Sequence, residues 1–172
     1  FTEAFLENNF TVIRWDASSS IGESEGSIEN ATVTDYYEDL EDMINWAEKQ
    51  KWYKEPFMLS GHSIGSTCAI VFTTKHPDKV RGIAPISAFL SGKSYYEFKK
   101  EEVEEWREKG FILEESQSKP GVIKKLNWSF MEDALKYDLL NYAEKLTMPV
   151  LLIVGSQDQG TPYKDQKRFF DN

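Results

Sequence analysis

The sequence contains a single cysteine, Cys68, in 172 residues, so it forms neither an internal disulfide nor a cysteine metal cluster. It contains only two histidines, His62 and His76, which excludes a multi-histidine zinc site. Positive charge is scarce: 20 Lys and Arg stand against 29 Asp and Glu, a net charge of −9. So acidic a surface repels phosphate backbones and argues against a nucleic-acid partner. The longest nearly apolar run, residues 83–90, is far too short for a bilayer and contains Pro85 and Ser87. There is no basic-then-apolar leader pattern, no P-loop, no G-x-G-x-x-G, no repeat and no Gly/Ser linker. These absences lead us to expect no cofactor, no nucleic acid and no membrane, and a cytoplasmic location. The oligomeric state stays open.

What is present supports a folded domain. Hydrophobic residues make up 40% and aromatics 14%, enough to bury a core. Residues 1–9 have helical spacing, and residues 10–15 (FTVIRW) read as a strand. Residues 16–26 are a Ser- and Gly-rich loop. An amphipathic helix follows over 34–49, with Tyr37, Leu40, Met43, Ile44 and Ala47 on one face and Thr32 or Thr34 as its cap. Residues 56–60 and 80–86 read as buried strands flanking an apolar helix over 64–75.

Residues 91–118 are rich in glutamate and predict a surface helix with a loop. Ser129 to Glu132 fits a capping box, and Asp138 can cap a helix over 139–146. Residues 149–154 (PVLLIV) read as a fully buried strand, residues 155–162 as a loop, and Tyr163 as a helix start. The alternation predicts an α/β fold: a mainly parallel sheet with flanking helices and a helical insertion.

One motif carries chemistry. Gly61-His62-Ser63-Ile64-Gly65 is a G-x-S-x-G between a strand and a helix. A nucleophile on a sharp strand-to-helix turn needs small neighbours, which the two glycines supply. The turn lifts the Ser63 hydroxyl to the sheet edge, and the Ile64 N–H at the helix N-terminus suits an oxyanion. His62 is expected to pack beneath this elbow, and His76 to lie at the surface about 20 Å away along the helix. Cys68 reads as core, and the glutamate run as a solvated face.

With its flanking segments, this motif makes the chain resemble the α/β-hydrolase superfamily over nearly its whole length, in the lidded esterase, lipase and acyl-peptidase-like branch. Residues 10–16 followed by Gly22-Glu-Ser-Glu-Gly26 resemble the fourth strand and its loop, although Ser18-Ser19-Ser20 departs from the usual Arg-Gly. Residues 76–80 match the link to strand six, and residues 149–158 match strand seven and the acid loop. The resemblance implies Ser63 as nucleophile, Asp158 as catalytic acid and Ile64 N–H as one oxyanion donor. It implies core segments over 1–90 and 147–172, with a lid over 91–146 whose Trp106, Tyr95, Tyr96, Phe98 and Phe111 line an acyl pocket or pack the lid down.

No histidine follows Asp158, and the third strand of the family is missing. The expectation is therefore an internal part of a longer serine hydrolase that cleaves a carboxylic ester of a small molecule, its histidine and second oxyanion donor lying outside these residues. A peptidase or thioesterase, or a binding module without catalysis, are the alternatives.

Overall fold

The computed structural model describes residues 2–116, 119–158 and 160–172. Residues 1, 117, 118 and 159, which fall within the expected first helix, the glutamate-rich loop and the acid loop, lie outside the described part. Its elements are α1 (Thr2–Glu7), α2 (Val33–Ala47), β1 (Phe57–His62), α3 (Ile64–Lys75), β2 (Val80–Ile86), α4 (Gly92–Phe98), α5 (Lys100–Lys109), β3 (Phe111–Glu115), β4 (Ile123–Asn127), α6 (Trp128–Ala134) and α7 (Tyr163–Asp171).

β1 and β2 pair in parallel, with His62 opposite Ile86. Residues 149–153 extend this pair on the far side of β2. Leu151 and Ile153 donate backbone hydrogen bonds to the Ile83 and Pro85 carbonyls, and Ile83 and Ser87 donate back to those of Pro149 and Ile153. α2 and α3 cover one face, and Phe169 of α7 joins their core of Leu40, Ile44, Ile70, Phe72 and Ile83. β1 alternates half-buried and exposed residues, so Met58, Ser60 and His62 are open on the other face, Met58 at 47% exposure.

Several sequence expectations change here. Residues 10–15 form no strand, because a strand exists only where a neighbour completes its hydrogen bonds and this segment has none among the described residues. Residues 149–154 pair but are not buried, with Leu151 62% exposed, since nothing described packs on that edge. The strand expected at 56–60 runs Phe57–His62 and is half open rather than buried. Residues 139–146 hold only the 3-10 turn Ala143–Lys145, because Asp138 is bridged to Ser91 instead of capping a helix. α6 starts at Trp128 with Asn127 before it, so Ser129 is not a cap.

Residues 91–134 hold a helix pair, an antiparallel hairpin and a third helix. The hairpin escapes a sequence reading because its strands are charged: Glu114 faces Lys124 across the ladder and pairs with it at 2.7 Å. A second core forms here around Trp106, which is buried, donates its indole N–H to Leu126 O at 3.1 Å and stacks on Phe130. Phe98, in contrast, is exposed.

This unit is fastened to α2 by a charge. Thr32 caps α2 by accepting from the Asp35 N–H at 3.0 Å, as the sequence suggests. Asp133 of α6 adds a second cap, accepting the Thr34 N–H at 2.7 Å and its hydroxyl at 2.8 Å, with Lys136 at 2.7 Å. Burial opposes the Asp133 charge, but Lys136 and the two Thr34 donors outweigh it and hold the carboxyl below the usual aspartate range. A lowered native pKa stabilises the fold above the unfolded-state pKa, and the gain is lost as pH falls through the native value. Asp133→Ala is thus expected to lower stability by about 1–2 kcal/mol at neutral pH. In urea titrations its deficit against wild type should shrink below about pH 4. An equal deficit at pH 3 and pH 7 would mean that the charge plays no part.

Candidate active site

Ser63 sits directly between β1 and α3 with φ 52° and ψ −118°, a backbone region that L residues rarely occupy. Its N–H is held by Ile86 O at 3.0 Å, and its carbonyl accepts from Ser66 N–H at 3.0 Å, Thr67 N–H at 3.3 Å and Phe89 N–H at 3.4 Å. The turn is tight because β1 and α3 nearly touch. A Cβ on Gly61 would lie 2.3 Å from the Gly65 carbonyl carbon and oxygen and 2.7 Å from Ser66 N. The expectation for the two glycines therefore holds at Gly61 only; a Cβ on Gly65 meets nothing within 4 Å.

The first turn of α3 contains two fully buried hydroxyls that the sequence reading passed over. Ser66 donates to Gly61 O at 2.6 Å and accepts from Ile86 N–H at 2.9 Å, stitching the ends of β1 and β2 together under the turn. Thr67 donates to Phe89 O at 2.5 Å. Their one sequence signal is two adjacent polar residues opening an otherwise apolar helix. The Ile64 N–H makes no hydrogen bond among the described residues and stands at the positive end of the α3 dipole. The Ile64 side chain packs against both cores, so the residue after Ser63 joins the body to the inserted unit.

Asp158 lies in the loop after residues 149–153, the strand beside β2. Its Oδ1 accepts the Gly160 N–H at 2.8 Å and the Thr161 N–H at 3.0 Å, and its Oδ2 accepts the Thr161 hydroxyl at 2.7 Å. Burial pushes its pKa up, yet the nearby Ser87 and Thr161 hydroxyls and the two N–H groups favour the anion and hold it below the usual aspartate value. Ser63 and Asp158 thus follow parallel strands that flank β2, at the same carboxyl end of the sheet.

The remaining candidates fall elsewhere. His62 is exposed rather than packed beneath the turn, because strand alternation turns it to the open face of β1. His76 is at the far end of α3, against Phe72 at 4.6 Å and 3.8 Å from Glu41. Cys68 is buried, and its thiol is pushed up to about 12 by desolvation, too high for a nucleophile at neutral pH. Tyr95 rests on Phe89 at 5.5 Å, and Trp106 is enclosed, so these two aromatics pack the insertion. Two open clefts of about 390 and 420 Å³ are lined mainly by residues of α2 and the 15–24 loop, not by Ser63 or Asp158. Among the described residues no group of acids, histidines or cysteine could hold a metal, and no helix is long and apolar enough to cross a membrane.

Comparison with known proteins agrees with this geometry. A family model described as serine aminopeptidase, S33, matches residues 1–113. An uncharacterised 31.7 kDa protein of Escherichia coli, from the traX-finO intergenic region, is 26% identical over 99% of this chain and 70% of its own length. The solved structure of mouse α/β-hydrolase domain-containing protein 10 superposes with a TM-score of 0.76 at 25% identity, covering 99% of this chain and 67% of that one. Est1E of Butyrivibrio proteoclasticus, solved with ferulic acid bound, shares the fold with a TM-score of 0.64 at 19% identity, covering 90% of this chain and 60% of that one. The chain therefore spans about two thirds of the length of such relatives.

The Gly61 contact makes a direct test. Gly61→Ala forces backbone against backbone, so α3 must lift off β1. A loss on the order of 3 kcal/mol is expected in chemical denaturation. Gly65→Ala should cost far less, and equal losses at the two glycines would contradict the close approach.

Proposed function

Because the chain belongs to the serine aminopeptidase S33 family of hydrolases, we propose that it carries the nucleophile half of a serine hydrolase acting on a carboxylic ester of a small molecule. The observation that carries this reading is Ser63 on its tight turn, next to an Ile64 N–H with no protein partner among the described residues. Ser63 Oγ attacks the acyl carbonyl while its proton passes to an imidazole. The oxyanion rests on the Ile64 N–H and a second donor. The imidazolium returns the proton to the departing alcohol, and water then cleaves the acyl-enzyme. Asp158 holds that imidazole and balances its charge. Neither His62 nor His76 is placed to be that imidazole, so this reading takes the proton acceptor from beyond these 172 residues. Residues 91–146 form the lid in this reading.

The family description favours an amide as a second substrate class, and Est1E was solved with a phenolic acid bound. Comparing aryl ester, aryl anilide and acyl-thiol turnover decides among them. Labelling by a fluorophosphonate tests the mechanism. The 172-residue chain by itself is expected to stay unlabelled. A chain extended to the length of its relatives should label, and Ser63→Ala should abolish the label. Labelling of the short chain would place a histidine where this reading has none. No labelling of either chain would leave a binding module without catalysis.

A further inference from the structure

Resting on the reading of Ser63 and Ile64 above, we propose that Thr67 is a positioning residue for the oxyanion donor, helped by Gln166. Through residues 88 and 89, the two side chains hold the peptide plane that carries the Ile64 N–H.

The Ser63 carbonyl and the Ile64 N–H belong to one planar peptide unit and, as in any trans peptide, point in opposite directions. Whatever fixes the Ser63 carbonyl therefore aims the Ile64 N–H. The torsion that turns this plane is the Ser63 ψ of −118°, in a backbone region that L residues rarely occupy. A residue keeps such a conformation only where its surroundings over-determine it.

Three donors hold the Ser63 carbonyl: Ser66 N–H at 3.0 Å, Thr67 N–H at 3.3 Å and Phe89 N–H at 3.4 Å. The first two belong to α3 and move with it. Among the described residues, the third alone ties the plane to the sheet, since Phe89 lies just beyond β2. So long a bond orients its acceptor only if the donor is itself fixed. Residues 87–89 are fixed at every step. Ser87 N–H donates to Ile153 O at 2.7 Å, Ala88 O accepts from Gln166 Nε2 at 2.6 Å, and Phe89 O accepts from the Thr67 hydroxyl at 2.5 Å.

Thr67 is the centre of this arrangement. It is fully buried, and it bonds two carbonyls: its N–H takes that of Ser63, its hydroxyl that of Phe89. Thr67 thus fixes the donor of the very carbonyl that it also holds directly. Valine has the same shape, so packing does not call for the hydroxyl. Gln166, 1% exposed, acts from α7 on the neighbouring carbonyl. Its Oε1 is buried with no hydrogen-bond partner among the described residues, a cost that an apolar side chain would avoid. What glutamine contributes there is the Nε2 bond to Ala88.

The test is the rate at which Ser63 of the extended chain is labelled by a fluorophosphonate, compared with the same probe carrying P=S in place of P=O. Sulfur accepts hydrogen bonds weakly, so the sulfur probe depends less on the oxyanion donor. In Thr67→Val the oxygen-probe rate is expected to fall about tenfold, less than outright loss of such a donor costs. The sulfur-probe rate should fall much less, and Thr67→Ser should restore the wild-type preference for oxygen. Gln166→Met should shift the preference in the same direction. Both probes are read on one preparation, so partial unfolding cancels from the ratio, and Thr67→Ala gives the same reading should Thr67→Val not fold. An unchanged preference in the Thr67 variants, or one that Thr67→Ser does not restore, would overturn the role of Thr67 and leave the hydrolase reading intact. An unchanged preference in Gln166→Met would overturn the part given to Gln166. A wild-type extended chain that neither probe labels removes the hydrolase reading, and the positioning role with it.

Discussion

The parallel register of β1, β2 and residues 149–153 is the constraint on which the site depends. Parallel strands end at the same edge of a sheet, so whatever follows them is brought together without any direct contact between the following residues. Ser63 and Ser87 extend the ladder by one hydrogen bond each, to Ile86 O and Ile153 O. A slip of one residue between β1 and β2 would turn Leu59 to the open face and Ser60 to the core. The buried Ser66 hydroxyl guards against this, because it bonds Gly61 on one strand and Ile86 on the other.

The inserted unit is joined to this frame by two different kinds of contact. Ile64 and Tyr137 join it through packing, since both touch the two cores. Asp133 joins it through charge, at the N-terminus of α2. The two joints flank the Ser63 turn differently. Ile64 is adjacent to Ser63, so the second core packs directly beside that turn. Asp133 acts on α2, which packs on α3, and so steadies the helix whose N-terminus carries the Ile64 N–H.

What could be read from the sequence was what depends on neighbours in the chain. The strand-turn-helix at Ser63, the Thr32 cap and the amphipathic face of α2 are set by residues a few positions apart, and they stand as read, while the roles of Gly65 and His62 within the turn do not. The hydrolase fold was legible because its motif and its flanking segments are local too. What depends on a distant partner was not legible. Residues 10–15 have strand composition but no ladder, and β3 and β4 have charged composition but pair through Glu114 and Lys124. Asp138 could cap a helix, but it meets Ser91 instead. Ser66, Thr67 and Gln166 escaped for the same reason: each acts on a backbone group at least twenty residues away, apart from the short Ser66 bond to Gly61.

The hydrogen bonding of Asp158 has a consequence for how such a site is assembled. A carboxylate accepts about four hydrogen bonds. Gly160 N–H, Thr161 N–H and the Thr161 hydroxyl supply three. Asp158 is therefore already held as an anion by its own loop, with about one acceptor position left over. In the reading proposed above, a histidine takes that position without displacing a donor. Its gain comes when that imidazole takes the Ser63 proton and becomes charged, since a charge-assisted bond is stronger than a neutral one. In this reading the acid contributes little to binding the resting histidine and most to the protonated one, which is the differential stabilisation that catalysis requires.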